Sequence, residues 1–327
     1  MKEWVFGIDG GGTNSRIRVE DLSGELLYEG SSGGTNPNVR PADEISEVFR
    51  GLVAGAFSSG LDPRGCRAGF VGSAGVDRQE DRTAMAVRIE REFRAVAGWK
   101  TAALFPADPP ALRFAAGNDA EPALVGALSD VEGFLLIAGT GSIAYGRSRS
   151  GRCERAGGWG HFLGDEGSAF WIAFEGIKRG IRSSEGRDRP SGLLNAALDF
   201  FGFSAASDLL AFTYFAFDKA RIASFAPSVL ALAEAKDALA VRLVDQAARE
   251  LASLALSVYR RMASEMVRKR LAPYGGLLEK NDKLRGEVFR LLEKAAPDLE
   301  IVEPLGSAAA GACRLARELL LDGPYAP

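Results

Sequence analysis

The sequence predicts an α/β protein made of two similar halves, and three observations support this prediction. The chain has 327 residues, and a single hydrophobic core rarely grows beyond roughly 250 residues. Short apolar segments typical of strands alternate with segments of helical spacing. The pattern of strand, glycine turn and strand in residues 5–34 returns in residues 133–158. An internal repeat of this kind indicates two related α/β halves.

The first half is predicted to open with three strands and then to alternate helices and strands. Apolar runs and period-two alternation indicate the strands, whereas helical spacing closed by glycine indicates the helices. The predicted strands cover residues 4–9, 15–21, 26–32, 67–75 and 112–119, and the helices cover 41–60, 79–96 and a segment that starts at Glu121.

The second half opens with the repeated strand pattern and continues into a long helical stretch of about 167–264, rich in Ala and Leu. It ends with a strand that runs into Gly275 and Gly276, a helix, a strand over 298–304 and a helix over 306–321. Two halves that open in the same way would set two glycine turns facing each other across a cleft. Such a cleft suits a nucleotide whose phosphates are held from both sides.

Composition restricts the partners and the compartment. The formal charge of -3 gives no basic excess, so we expect no nucleic-acid partner. The N-terminus shows no signal-peptide pattern, and no apolar stretch reaches the roughly 20 residues that a membrane span needs. We therefore expect a cytoplasmic protein with no membrane partner.

The three cysteines, Cys66, Cys153 and Cys313, are odd in number and far apart in sequence. This pattern predicts free thiols in a reducing cytoplasm rather than a disulfide framework. Because no CxxC pair is present, zinc or an iron–sulfur cluster has no obvious cradle within one chain.

The segment from Asp9 to Ser15 places three glycines directly after an apolar strand. Such a turn lets backbone N–H groups point at an anion without a Cβ in the way, and Thr13 and Asn14 add side-chain donors. Asp9, at the strand end, would hold Mg²⁺ or its waters. A plain hairpin turn explains the glycines equally well. The chain lacks GxxxxGK[ST], and this turn does not satisfy GxGxxG, so neither the P-loop nor the Rossmann solution applies.

Two further positions suggest phosphoryl transfer. The segment AGTGS, residues 138–142, is a second glycine turn, again with a hairpin as the alternative. Asp119 ends a predicted strand, where α/β sheets place their ligands. Phosphoryl transfer to an alcohol needs a carboxylate that orients the hydroxyl and takes its proton. The alternative is that Asp119 merely caps the helix that follows.

The segment GGWGHFLGDEGS, residues 157–168, gathers glycines around Trp159 and Asp165. An indole beside backbone amides and acidic groups is how proteins hold a sugar, because the ring faces stack and the hydroxyls bond to carboxylates. His161 is the only histidine, and we expect it to be a structural residue with satisfied hydrogen bonds. Glu166 with Ser168 is expected to take part in capping the next helix.

Asn36 lies in the segment TNPN, in a loop that follows a predicted strand. A turn is the simple explanation for this segment. An amide at this position is also able to reach a polyol.

Taken together, these segments resemble the N-acetylglucosamine kinase family. That family is grouped with the BadF/BadG-type ATPases in the actin-like sugar kinase and Hsp70 superfamily. The resemblance covers nearly the whole chain, and its most specific element is GGWGHFLGDEGSA. The segments that carry it, in order, are GIDGGGTNSRI, TN, GND, AGTGS, GGWGHFLGDEGSA and YGG.

The resemblance implies an α/β fold of two actin-like (ribonuclease H-like) domains of duplicated origin, with ATP and Mg²⁺ in the cleft between them. It implies a small N-terminal domain over 1–117 and a large C-terminal domain with a helical insertion over 118–306. The C-terminal helix, over about 307–327, would pack back on the first domain.

The resemblance also implies roles for individual residues. Asp119 would be the general base for the sugar 6-hydroxyl, and Asp9 would act on Mg²⁺. The ATP phosphates would be bound by Gly11, Gly12, Thr13, Asn14, Thr140 and Gly141. The adenosine would be bound by Gly275 and Gly276. The sugar would be bound by Asn36, Asp119, Gly158, Trp159 and Asp165.

The sequence departs from the family pattern after TN, where Pro37 and Asn38 replace bulkier residues. This departure leaves the acyl-group pocket, and with it the exact amino sugar, undetermined. The zinc-binding cysteine cluster of the repressor–kinase–open-reading-frame sugar kinases is missing, which argues against that family.

We therefore predict an ATP-dependent kinase that phosphorylates the 6-hydroxyl of N-acetylglucosamine or a close amino sugar, with a small-molecule sugar as its partner and a homodimer as its assembly. One alternative is a glucosamine kinase or another hexose kinase of the same fold. An alternative from a different class is an activator ATPase of an iron–sulfur dehydratase, although Cys66 and Cys153 lack a Cys-Gly-Gly setting. The third alternative is a sugar-sensing regulator without catalysis.

Overall fold

The computed structural model describes residues 1–99 and 112–321. These residues form ten strands, twelve helices and two short 3-10 turns, at Pro63–Gly65 and Ala263–Glu265. Numbered in chain order, the strands are β1 Trp4–Gly10, β2 Asn14–Asp21, β3 Leu26–Gly33, β4 Cys66–Ser73, β5 Arg113–Gly117, β6 Gly133–Ala138, β7 Ser142–Arg147, β8 Cys153–Gly157, β9 Arg270–Tyr274 and β10 Glu300–Ile301. The helices are α1 Ala42–Ser58, α2 Gln79–Val96, α3 Ala120–Leu128, α4 Ala169–Ser184, α5 Leu193–Phe201, α6 Ala206–Phe215, α7 Lys219–Ala223, α8 Ala226–Glu234, α9 Ala238–Met262, α10 Gly276–Glu279, α11 Asp282–Ala295 and α12 Ala308–Glu318.

The described residues divide into two compact units. The first contains a sheet of order β3-β2-β1-β4-β5. In this sheet β1 pairs antiparallel with β2 and parallel with β4, and β4 pairs parallel with β5. The register aligns Asp9 with Gly72 and Gly72 with Gly117. The carboxyl ends of three parallel strands therefore lie at one edge, where an α/β sheet collects its ligands. The units are Met1–Gly133, Arg147–Arg152 and Glu303–Pro327 for the first, and Phe134–Gly146 and Cys153–Val302 for the second.

The two faces of the first sheet are covered differently, because successive side chains of a strand point to opposite faces. Trp4 and Phe6 of β1 join an aromatic core with Phe93 of α2, and the Phe6 and Phe93 rings stack 5.9 Å apart. The opposite face receives α12 at Gly7, where an added Cβ would lie 2.4 Å from the backbone N of Cys313. Glycine at this position lets the helix backbone lie directly on the strand.

The second unit contains a sheet of order β10-β9-β6-β7-β8, in which β9 pairs parallel with both β6 and β10. Its core is formed by β6, α4 and α9 together with the helices between them. The stretch predicted as helical over about 167–264 consists of α4 to α9 with turns between them. Specific residues mark the breaks between these helices. Gly202, with a φ of 72°, follows the end of α5, and the side chain of Asp237 caps the start of α9.

The strand order of one sheet repeats that of the other. Read from the β8 edge, the second sheet is β8-β7-β6-β9-β10, which matches β3-β2-β1-β4-β5 strand for strand. The predicted α/β fold of two similar halves is confirmed. The boundary between domains of common origin at residue 117 stays a prediction, as does the helix to 327, whose last six residues lie outside the described ones.

No single helix within residues 1–99 and 112–321 is long and apolar enough to cross a membrane. Helices α5 and α6, which are bent by 59° relative to each other, reach the required length and composition only as a pair.

Candidate active site

The first glycine turn connects β1 to β2, so it is a hairpin turn as well as a candidate phosphate loop. Gly11 donates its N–H to the Asn14 carbonyl at 3.0 Å, and Thr35 donates its N–H to the Gly11 carbonyl at 3.0 Å. Gly12, Thr13 and Asn14 are exposed. The turn is therefore tied at its base while its tip is open to a ligand.

A chain of buried hydroxyl groups fixes this turn against β4. The hydroxyl oxygens of Ser15 and Thr35 lie 3.1 Å apart, and those of Thr35 and Ser73 lie 3.2 Å apart. All three residues are fully buried. Gly10 leaves room for this chain, because an added Cβ would lie 2.1 Å from the Thr35 hydroxyl. Buried, mutually satisfied polar groups of this kind hold a loop in one conformation.

Two predicted site carboxylates lie at the carboxyl edge of the first sheet. Burial raises the pKa of Asp9, the next-to-last residue of β1, and the charge of Arg16 opposes this shift. Burial also raises the pKa of Asp119 to about 6, and the negative charges of Asp9 and Asp77 contribute in the same direction. A carboxyl group whose pKa lies close to neutrality is suited to exchange a proton with a substrate hydroxyl.

The neighbour of Asp119 explains how this edge is held. Asn118 donates its side-chain N–H to Asp77 at 2.8 Å and accepts the N–H of Ala120 at 2.9 Å. Asp119 makes no side-chain capping bond to α3, so the structure does not support the capping alternative. Sequence reasoning missed both Asp77 and Asn118. The signal for Asp77 was its place just after a buried parallel strand, as for Asp9 and Asp119.

Asn36 lies in the loop after β3, and its side chain lies against the loop after β4. Its Oδ1 accepts the Asn38 N–H at 2.8 Å, which is the predicted turn. Gly75 has a φ of 82°, and an added Cβ would lie 2.6 Å from both the Asn36 Oδ1 and the Asn38 Nδ2. Two amides therefore line this loop, so Asn38 joins Asn36 as a polar group at this edge.

The second glycine turn connects β6 to β7 and is supported by Asp165. Gly139 donates its N–H to the Gly141 carbonyl at 2.9 Å. The buried Asp165 has a φ of 60°, accepts the Ser142 N–H at 3.1 Å and accepts Lys219 at 2.8 Å. Gly141 faces this carboxylate, because an added Cβ would lie 2.7 Å from its Oδ1. Asp165 thus holds the base of the turn that carries Thr140.

The Trp159 segment is a run of glycine conformations that presents an exposed indole. Gly157, Gly158 and Gly160 all have φ values between 72° and 80°, a region that favours glycine. Gly158 donates its N–H to the Ser142 carbonyl at 3.0 Å, which ties the segment to β7. Trp159 is 63% exposed, and the Arg155 guanidinium lies 4.7 Å from its ring centroid. One face of the indole is therefore covered by a cation, and the side chain remains accessible.

The expectation that His161 has satisfied hydrogen bonds is wrong. Its Nε2 is buried and has no hydrogen-bond partner in the part of the chain that the structure describes. The ring packs among Phe162, Phe170 and Phe217, with 5.1 Å between the centroids of His161 and Phe217. Burial lowers the pKa of His161, and the charge of Lys219 adds to this effect. The imidazole behaves as an aromatic packing residue because its surroundings offer rings in place of polar atoms.

Of Glu166 and Ser168, which were expected to take part in capping the next helix, Ser168 does so through its side chain. Ser168 accepts the Trp171 N–H at 3.2 Å and caps α4. Glu166 contributes its backbone carbonyl to the Ser142 hydroxyl at 2.8 Å.

Gly275 follows β9 and Gly276 begins α10. Gly275 has a φ of 97°, and an added Cβ would lie 2.6 Å from the Ala138 carbonyl oxygen. Its N–H is accepted by the Glu279 carboxylate at 3.0 Å. This glycine pair therefore lies against the end of β6, where the second glycine turn begins.

Each unit gathers its own set of predicted residues. In the first unit the glycine turn, Asp9, Asn36 and Asp119 lie at one edge of the sheet. In the second unit the residues at 140–141, 158–159, 165 and 275–276 surround the start of β7. Two α/β units with one strand order, each with a glycine turn between its first two strands, are the arrangement expected of an actin-like fold.

The chain belongs to the BadF/BadG/BcrA/BcrD ATPase family, whose sequence profile matches residues 6–316. The chain is 32% identical over 317 residues to an N-acetylmuramic acid/N-acetylglucosamine kinase of Clostridium acetobutylicum, covering 96% of this chain and 98% of that protein. It is 24% identical to the glucosamine kinase GspK of Vibrio cholerae, covering 80% and 83% of the two chains.

Among solved structures, the fold matches a protein of Chromobacterium violaceum that is provisionally described as an N-acetylglucosamine kinase. The TM-score is 0.67 and the identity is 26%, with 96% of this chain and 99% of that chain covered. The predicted family resemblance and the actin-like fold are confirmed, and membership of an ATPase family agrees with the predicted use of ATP.

Proposed function

We propose that this protein is an ATP-dependent kinase that transfers the γ-phosphate to the 6-hydroxyl of N-acetylglucosamine or a close amino sugar. The observation that carries the proposal is Asp119, a partly buried carboxyl group at the carboxyl edge of a parallel sheet. Its pKa is raised to about 6 by burial and then by Asp9. Phosphoryl transfer to an alcohol requires such a group to orient the hydroxyl and accept its proton.

In the proposed mechanism the protein contributes mainly position and charge. The turn of Gly11, Gly12 and Thr13, through the backbone N–H groups of Gly12 and Thr13, and the turn at Thr140 and Gly141 hold the ATP phosphates, as glycine turns do for anions. Asp119 holds the sugar hydroxyl in line with the γ-phosphate and takes its proton as the new O–P bond forms. The proton moves to the Asp119 carboxylate, and ADP leaves with the electrons of the broken bond.

The chain also offers a carboxylate that fits Mg²⁺. Within residues 1–99 and 112–321 the Asp9 carboxylate accepts no hydrogen bond. Burial raises the pKa of this group. The described residues contain no group of three or more metal-binding side chains, but Mg²⁺ bound to nucleotide phosphates needs only one or two protein carboxylates. When bound, Mg²⁺ neutralises charge on the phosphates.

The sugar is proposed to lie against the Trp159 indole, with Asn36, Gly158 and Asp165 as polar contacts. The exposed indole supplies the apolar face that a sugar ring needs. The amino-sugar class is supported by the relatives named as N-acetylmuramic acid/N-acetylglucosamine kinase and glucosamine kinase.

The activator ATPase alternative receives less support from the cysteines. Cys66 and Cys313 are buried, and burial raises the pKa of both thiols. A cluster shared between subunits requires accessible thiolates, which these two positions do not provide.

A substrate panel tests the proposed function. We expect ADP release from ATP and Mg²⁺ to depend on an added sugar, with the highest kcat/KM for N-acetylglucosamine or N-acetylmuramic acid among a set that includes glucosamine, N-acetylmannosamine and glucose. The matched control is 6-deoxy-N-acetylglucosamine, which should bind without turnover because it lacks the accepting hydroxyl. ADP release that is equal with and without every sugar would overturn the kinase proposal.

The pH dependence of kcat/KM tests the role of Asp119. The general base must be ionised, and its pKa is about 6, so activity should be constant above about pH 7 and should fall tenfold per unit well below pH 6. The measurement is initial rate of ADP release against pH at low sugar concentration. An acid limb centred near pH 4, the ordinary range of an aspartate, would contradict the assignment.

A further inference from the structure

A cleft in the first unit, apart from the predicted site residues, has the chemistry of an anion site. It measures about 400 Å³ and lies between β2, the turn after it, the end of α3 and one face of α12. This volume falls within the range of small-molecule sites. Three arginines line it, Arg18, Arg314 and Arg317, and Glu20 is the one acidic side chain among its lining residues.

The positions of the three arginines follow from the alternation of β2 and from the helical spacing of α12. Ile17 and Val19 of β2 are buried in the aromatic core, so Arg18 and Glu20 alternate onto the face covered by α12. On α12, Ala310, Arg314 and Arg317 follow helical spacing and share one side of the helix. The cleft therefore receives guanidinium groups from a strand and from the helix that crosses it.

Glu20 orients two of the arginines and leaves the third without a partner. Its carboxylate, whose side chain is only 5% exposed, accepts from Arg18 Nε at 2.5 Å and from Arg317 Nη1 at 2.5 Å. Arg314 makes no hydrogen bond or ion pair within the part of the chain that the structure describes. A partly buried guanidinium with open donors is a group that favours a phosphate oxygen pair.

Two backbone carbonyl groups at the end of α3 already accept hydrogen bonds, so they are not free to pair with the arginines of the cleft. The Gly126 carbonyl accepts the Ser129 N–H at 3.4 Å, and the Ala127 carbonyl accepts the Leu305 N–H at 2.8 Å. Arg18 also donates its Nη1 to Glu29 at 2.7 Å. Glu20 and Glu29 together therefore leave one guanidinium in excess, that of Arg314, and these backbone acceptors do not offset it.

The cleft is distinct from the proposed nucleotide residues. The glycine turn precedes Asn14 at the start of β2, whereas the cleft residue nearest to it along this strand is Arg18. Four residues of strand separate the two positions, which is about 13 Å. None of the residues that line the cleft has a predicted role in binding ATP, Mg²⁺ or the sugar.

We propose that this cleft is a second ligand site, which binds a small phosphorylated compound through Arg314, with Arg317 and Arg18 held ready by Glu20. The phosphate group is the shared chemistry, and it arrives either as free inorganic phosphate or as part of a phosphorylated sugar. Its ligand would bridge β2 and α12, so binding should raise the thermal midpoint of the first unit.

Titration calorimetry at low ionic strength tests the site, with inorganic phosphate and glucose 6-phosphate as separate probes. Arg314→Gln should weaken binding of the preferred probe by at least about tenfold, because glutamine lacks the charge and the paired N–H donors that a guanidinium offers to a phosphate. The matched control is Arg94→Gln on α2, whose pair with Glu90 lies outside the cleft. This control should bind as the wild type does.

A second variant tests the cleft by shape without removing charge. Ala310→Leu keeps all three arginines and fills space beside them, on a helix position that tolerates leucine. If the ligand is a phosphorylated sugar, this variant should weaken the binding of glucose 6-phosphate more than the binding of inorganic phosphate. If the ligand is free phosphate, the binding of both probes should be weakened equally. The proposal is overturned if neither probe shows saturable binding, or if both variants bind as tightly as the wild type.

Discussion

Asp119→Asn is expected to lower kcat by about 10²–10⁴-fold, the usual contribution of a general base, while sugar affinity changes little. Asparagine keeps the size and a hydrogen-bonding oxygen of the side chain but does not accept the proton of the attacking hydroxyl. The rate is measured as ADP release at saturating ATP and sugar, and affinity is measured by calorimetry with N-acetylglucosamine. Activity and binding are thereby separated in one variant.

The same substitution distinguishes a base from a helix cap. Asparagine caps a helix about as well as aspartate, so a purely structural Asp119 would give an active Asp119→Asn enzyme. Asp43→Asn in the exposed first turn of α1 is the matched control and should retain full turnover. Wild-type kcat in Asp119→Asn would remove the proposed role.

Gly311→Val is expected to destabilise the first unit by about 3 kcal/mol, the upper end of the usual cost of overpacking, because the added atoms meet backbone instead of a movable side chain. A Cβ at Gly311 of α12 would lie 1.9 Å from the Pro122 carbonyl oxygen and 2.4 Å from the Gly126 backbone N of α3. The two helices touch through their backbones at this point, so no flexible side chain is able to move aside. The free energy of unfolding is measured by urea denaturation with circular dichroism.

A glycine on an exposed helix face provides the opposite expectation. Gly286 lies in α11, and an added Cβ would meet nothing within 4 Å. Gly286→Ala should therefore stabilise the protein by about 0.5–1 kcal/mol through the lower backbone entropy of the unfolded chain.

A Gly311→Val protein with the wild-type urea midpoint would show that α12 is able to move away from α3 at little cost.

Local patterns in the sequence were sufficient for much of the fold. Period-two alternation in residues 15–21 and the glycine turns predicted β2 and both hairpins, and the repeat at 133–158 predicted a second sheet of the same kind. The helical region was less informative, because its Ala- and Leu-rich sequence continues through the breaks. The aspartate caps at Asp218 and Asp237 mark two helix starts that composition alone does not separate.

The position of Asp9 and Asp119 at the carboxyl edge of the first sheet was predictable, because each lies where a parallel strand ends, and their roles stay predictions. It was not predictable where contacts join distant parts of the chain. Lys219 lies 54 residues from Asp165, and no local pattern connects them. The unsatisfied His161 had the same cause, because the phenylalanine at position 217 that stacks on it is remote in sequence.

The repeated strand order does not extend to charge. Asp9 stands near the end of β1, whereas the corresponding end of β6 carries the apolar pair Ile137 and Ala138. Two identical polypeptides of half the length would carry an acid at both positions or at neither. A single chain specifies the two positions separately, so the first unit has a carboxylate at this strand end where the second unit is apolar.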